Sequence, residues 1–131
     1  MRTRLFIVVV GLSTLVAAAP VWAHHAMIVH FDLDKPITLR GTLTKMEWVN
    51  PHGSIYMDVT RPDGQVEKWA IETGSPYQMM KRGLSPTDFQ PGIEIIVFGF
   101  AAKGGKRALG GWMVTFPNRE ASWETSFALG R

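Results

Sequence analysis

The sequence predicts an all-β chain: a small five-stranded barrel of the oligonucleotide/oligosaccharide-binding (OB-like) Greek-key type, with one short helix between strands 3 and 4. Three observations predict it. From Ile37 onward, short runs of β-branched and aromatic residues are separated by Pro, Gly, Asp and Asn turns. Their order is three strands, a helix start, then two strands, which is the order of a five-stranded, partly open Greek-key barrel. The first run is long for a strand and holds Gly41, where a bulge lets a strand bend around a barrel corner. A β-sandwich normally needs about seven strands, and five are convincing here.

The elements follow in order. The first strand spans Ile37 to Val49. Ser54 to Thr60 alternates Ile55, Met57 and Val59 with Ser54, Tyr56, Asp58 and Thr60, the period-two mark of a half-buried strand. Pro62-Asp63-Gly64 makes a tight turn into Val66 to Thr73, so these two strands form a hairpin. Ser75-Pro76 reads as N-cap and first helical position of a helix of about two turns that Gly83 ends. Ser85-Pro86-Thr87-Asp88 is a second cap-like signal for a single turn. Ile93 to Ala101 and Trp112 to Phe116 are the last two strands, joined by a basic, glycine-rich tip, Lys103 to Arg107. That tip has no Gly-Lys-Ser/Thr string and no following helix, so it does not read as a phosphate cradle.

At the amino end, Arg2 and Arg4, an apolar stretch from Leu5 to Ala19, and Val21-Trp22-Ala23 form the three parts of an export signal, with cleavage expected after Ala23. Residues 1–23 are then a signal peptide, 24–36 an extended amino-terminal segment ending at Lys35-Pro36, 37–116 the barrel domain and 117–131 a weakly patterned tail in which Trp123 and Phe127 can dock. The 108 residues left suffice for one modest core. No second apolar run reaches spanning length, so the processed chain is expected in the periplasm or secreted, without a membrane anchor. Loss of Arg2 and Arg4 leaves 12 basic against 11 acidic residues, a poor balance for binding nucleic acid. The chain has no cysteine, which excludes disulfides, a lipoprotein anchor, thiolate metal sites and a thiol nucleophile.

The histidines carry the sharpest chemical signal. His24, His25 and His30 follow the expected cleavage point, and His52 lies in the turn Asn50-Pro51-His52. A chain that begins at His24 offers its α-amino nitrogen and imidazole Nδ1 to one ion, and a second imidazole completes a three-nitrogen set suited to copper, with zinc as second choice. His52 is the best second imidazole because its preceding proline makes a rigid platform; His25 can substitute, although neighbours on an extended segment point opposite ways. The metal ligands expected are therefore His24, His25 and His52, with Glu47, Asp32 and Met27 as outer or axial groups. The competing structural reading is a solvated amino terminus and a turn imidazole bonded to backbone.

The remaining residues read as packing. Trp48, Tyr56, Trp69, Phe98, Phe100, Trp112 and Phe116 recur at strand spacing, as core or barrel-face residues do. Met79-Met80 on the helix are expected to plug the barrel's open end. No nucleophile elbow is present, pairing Ser54 or Ser75 with His52 and Asp58 has no geometric warrant, and Glu47 and Glu72 can face each other across strands, although carboxylates on barrel strands usually point to water. Binding is expected over catalysis, and any catalysis would be metal-assisted redox chemistry.

Taken together, His24-His25, Phe31-Asp32, the Lys-Pro before the first strand, Gly41, Glu47-Trp48-Val49-Asn50-Pro51-His52, Asp63-Gly64, Trp69, Glu72, Gly74-Ser75-Pro76 and Pro91-Gly92 resemble a family of small exported bacterial proteins, domain of unknown function 6152. The resemblance runs from His24 to about Phe116, and the paired histidines and the Trp-x-Asn-Pro-His string are its most specific parts. It implies a small periplasmic barrel and supplies no activity to carry over. Members often carry Ser at the place of Ala26 and commonly lack a histidine at the place of His30, so it supports His24, His25 and His52 over His30. Besides a metal-binding protein, two other classes fit this barrel. One is a non-enzymatic module for a protein, peptide or glycan partner, favoured by an exposed aromatic patch around Trp48, Tyr56 and Trp69; the other is a small metalloenzyme with an open coordination position.

Overall fold

A computed structural model describes residues 29–117 and the backbone of 124–126. The export signal, His24, His25, Met27, Trp123 and Phe127 lie outside the described residues. Six strands form one sheet: β1 (Phe31–Glu47), β2 (Ser54–Thr60), β3 (Val66–Glu72), β4 (Glu94–Ala102), β5 (Ala108–Thr115) and β6 (Glu124–Ser126). Their order is β3-β2-β1-β4-β5-β6, and β3 also pairs with β5, so five strands close into a ring with β6 appended to β5. The short helix α1 (Pro76–Lys81) lies between β3 and β4, so the chain is the small all-β barrel that its patterning predicts.

The alternation read along β2 builds the core: Ile55 and Met57 point inward and are fully buried. Leu43, Ile71, Ile95, Val97, Leu109 and Val114 join them, each contributing about 1.5–3 kcal/mol of burial relative to exposure. Helix α1 closes one end of the ring. Ser75 accepts a hydrogen bond from the Gln78 backbone N–H while the Gln78 side chain accepts one from the Ser75 backbone N–H, a reciprocal cap that fixes where the helix starts. Met79 is thereby driven into the core, and Leu84 and Phe89 follow it from the connection to β4. Phe89 packs edge-on against Phe116, 5.4 Å between ring centres, and tilts against Trp48. Only one of the paired methionines plugs the barrel, because Met80 falls on the opposite helix face and is 53% exposed.

Most strand ends fall within two residues of the sequence-based expectation, and three larger differences each have a tertiary reason. First, β1 begins at Phe31 rather than Ile37. Phe31 pairs with Ala102 and is buried, and the register shifts before Pro36 resumes pairing with Phe100, so the proline is taken into an irregular stretch of strand. Second, β5 begins at Ala108, ahead of Trp112, because Ala108, Leu109 and Gly110 gain a parallel partner in β3 that no local pattern announces. Third, β6 pairs Glu124–Ser126 with Thr115–Met113 where a tail was expected.

Gly41 proves not to be the bulge; the register with β2 shifts between Leu43 and Lys45. Its role is close approach, since a Cβ there would overlap the Asp58 carbonyl and the end of Met57. No helix among the described residues is long and apolar enough to cross a membrane. Gly41→Ala is expected to lower unfolding stability by about 1–3 kcal/mol, because backbone must move to admit the methyl group. Thr42→Ala, at the exposed next position, should change it little; urea unfolding of the two variants side by side checks the contrast.

Candidate functional site

His52 is placed by backbone, not by chance of side-chain packing. The β1–β2 connection runs from Trp48 to Gly53 and contains a cis Asn50–Pro51 bond. Gly53 locks it to the segment after β3: its N–H donates to the Gly74 carbonyl at 3.2 Å, and its own carbonyl accepts from the Thr73 N–H at 2.9 Å. A Cβ at Gly53 would stand 2.7 Å from Thr73 Oγ1 and 2.9 Å from the Glu47 carbonyl oxygen, so this close crossing requires glycine.

The hairpin register then supplies a partner. Ser54 lies opposite Glu72, the last residue of β3, and the His52 ring next to that pair brings Nδ1 to 2.5 Å from Glu72 Oε1. This contact occupies Nδ1 and leaves Nε2 as the nitrogen placed to bind a metal. Both side chains remain about one-third exposed, at 32% and 36%. They open on a cavity of about 400 Å³ whose wall includes Phe31, Pro51, Ser54 and Ala108. Phe31 seats on Gly110, where a Cβ would be 2.9 Å from its ring, and Gly110 is the β5 residue opposite Glu72. The earliest buried residue of the described chain thus sits beside the His52–Glu72 pair.

Of the metal ligands expected from sequence, His52 is the one that this site contains; His24, His25 and Met27 lie outside the described residues. His30 is exposed and directly precedes Phe31. Asp32 turns away, pairing with Lys35 at 3.2 Å and lining a different cavity. Glu47 accepts from Tyr56 Oη at 3.1 Å and pairs with Lys45 at 2.6 Å, which together hold its carboxyl below the usual carboxylate range, Lys45 contributing most. Glu47 and Glu72 occupy one row of the sheet, but Ser54 stands between them and each is held by its own partner. Ser75 is used as the helix cap and Asp58 lies opposite Lys68, so neither joins His52. Glu72 as the imidazole's partner was missed by sequence reasoning, although counting outward from the Pro62-Asp63-Gly64 turn sets it opposite Ser54. Among the described residues no three His, Asp or Glu side chains gather as a metal cage, so His52 and Glu72 form at most part of one.

Among the described residues, no α-helix covers the opposite end of the ring. There a cavity of about 500 Å³ is lined by Trp69, Glu67, Lys35, Lys106 and Arg107 among others. Glu67 accepts from the Trp69 indole N–H at 3.1 Å and from Arg107 at 3.1 Å. The aromatics Trp48 and Trp69 therefore belong to opposite ends of the barrel, and only Tyr56 and Trp69 line a common groove.

The fold and this site define a small all-β barrel that presents a loop imidazole steadied by a strand carboxylate. The chain belongs to a family of unknown function, DUF6152, whose model matches residues 12–111. No curated protein matches it.

The Trp69 indole, with Arg107 and Arg61 behind it, holds the Glu67 carboxyl below its ordinary 4.5. A depressed folded-state value means that this carboxylate stabilises the fold above pH 4.5 and loses that contribution as pH falls through the lower folded value. Glu67→Gln should flatten this part of the acid dependence. Urea midpoints measured across that window by tryptophan fluorescence check it.

Proposed function

We propose that this protein is an exported OB-like barrel that binds copper, with zinc as second choice, through the processed amino terminus and His52, and that it works by binding, not catalysis. The observation that carries the reading is the His52–Glu72 pair. A carboxylate on Nδ1 orients the ring and leaves Nε2 for the metal, the arrangement in which histidine ligands of metals are usually found. A loop tied down by two backbone hydrogen bonds is a sound platform for such a ligand.

The amino-terminal half of the site is supported by reach. Phe31 lines the same cavity as His52, and the seven residues from His24 to His30 can span at most about 25 Å when extended. With cleavage after Ala23, the ligands are the α-amino nitrogen and Nδ1 of His24 together with Nε2 of His52, and His25 is the substitute imidazole. This amine–imidazole chelate favours Cu(II), and the absence of cysteine from the sequence leaves nitrogen, oxygen and thioether donors.

The test uses protein recovered from exporting cells, its amino terminus established by intact mass, titrated with Cu(II) by calorimetry and followed by electron paramagnetic resonance. Sub-micromolar binding at one equivalent with a nitrogen-rich spectrum is the expected result. Glu72→Gln should weaken it about 10–100-fold, the usual effect of removing a carboxylate behind a ligand, and His24→Ala and His52→Ala should weaken it at least as much. Binding left unchanged by both histidine substitutions would overturn the reading.

A further inference from the structure

The ring is closed by a short zipper and left open beside it. β3 pairs with β5 only at Ala70–Ala108, Ile71–Leu109 and Glu72–Gly110, so Val66 to Trp69 have β2 on one side and no strand on the other. The direction of their backbone groups follows from two bonds. Ala70 N–H donates across the seam to the Arg107 carbonyl at 3.2 Å, and Arg61 N–H donates to the Gln65 carbonyl at 2.8 Å inside the hairpin. In an antiparallel pair the groups facing the partner alternate residue by residue. Lys68 and Val66, in phase with Ala70, therefore turn their N–H and C=O away from β2 and into the seam, where no strand of the described residues meets them.

Two cavities flank this edge, one of about 540 Å³ on the outer wall and the other at the barrel end away from α1, and Trp69 and Arg107 line both. The rim is predominantly basic. Lys35, Lys45, Lys68, Lys103, Lys106 and Arg107 border it, against the carboxylates Asp32, Asp58 and Glu67, and Asp32 is paired with Lys35. Glu67 is already occupied by Trp69, Arg61 and Arg107. An unpaired strand edge calls for an extended polypeptide, whose main chain can bond Val66 and Lys68; the basic rim calls for carboxylates on it.

We propose that the seam between Val66–Trp69 and the Lys103–Arg107 loop takes an extended acidic peptide segment of a partner protein as an added strand. Its carboxylates meet Lys68 and Lys106, and an apolar residue on the alternate face covers Trp69. This docking site is independent of the metal reading, since His52 and Glu72 lie at the paired end of β3.

The test is amide hydrogen exchange by NMR on the full chain as recovered from cells, with a short acetylated and amidated peptide alternating Glu and Val as the probe. Slowed exchange at the Val66 and Lys68 amides is expected, and Lys106→Glu should weaken binding about threefold to fivefold, the scale of one exposed charge contact. The same peptide N-methylated throughout should lose binding, because it cannot donate main-chain hydrogen bonds. Equal binding of the N-methylated peptide would overturn the proposal, as would protection of these amides by polygalacturonate and not by the peptide.

Discussion

Three residue pairs between β3 and β5 are the constraint on which the rest of this molecule depends. Without them the hairpin β2–β3 would be an open flap on β1, and the fully buried Ile71 and Leu109, which face each other in this pairing, would lose their cover. Parallel pairing between strands far apart in sequence forms late and is slightly weaker per residue than antiparallel pairing. It is compensated here by position: the paired residues of β3 are also those next to the segment that holds Gly53, so one short stretch of chain closes the ring and anchors the loop that carries His52.

Much of the barrel is legible in the sequence because its signals are local. The alternation in Ser54–Thr60, the Pro62-Asp63-Gly64 turn and the Ser75-Pro76 cap each act within a few residues, and the structure places elements where they point. What was not legible depends on distant partners. The glycines of Gly110-Gly111 argue against a strand until β3 pairs with Gly110 and β4 with both, and Lys35-Pro36 argues for an end to extended pairing until Phe31 finds its seat on Gly110. Gly41 is instructive in another way. A glycine in a long strand signals that something unusual happens there, but sequence does not distinguish a bulge from a crossing that leaves no room for a side chain.

The candidate site divides along the same line. His52 stands out from sequence because Asn-Pro-His in a turn is conspicuous, whereas Glu72 looks like any carboxylate at a strand end. Only the register joins them. That register is set by a tight turn and is countable along the hairpin, while the seat of Phe31 follows from no local feature.

The contact between Phe31 and Gly110 links fold to chemistry most directly. A side chain at residue 110 would push the ring outward, and with it the start of β1, away from the wall that Glu72 and His52 share. The pairing of Phe31 with Ala102 is separated from the regular ladder by a register shift, and the apolar seat on Gly110 adds to that pairing in holding residue 31. Hydrophobic burial is non-directional and tolerates such an irregular stretch. One aromatic ring on one glycine therefore brings the amino-terminal side of the chain alongside an oriented imidazole, while the strand that carries the glutamate is held to the barrel at one end and left open at the other.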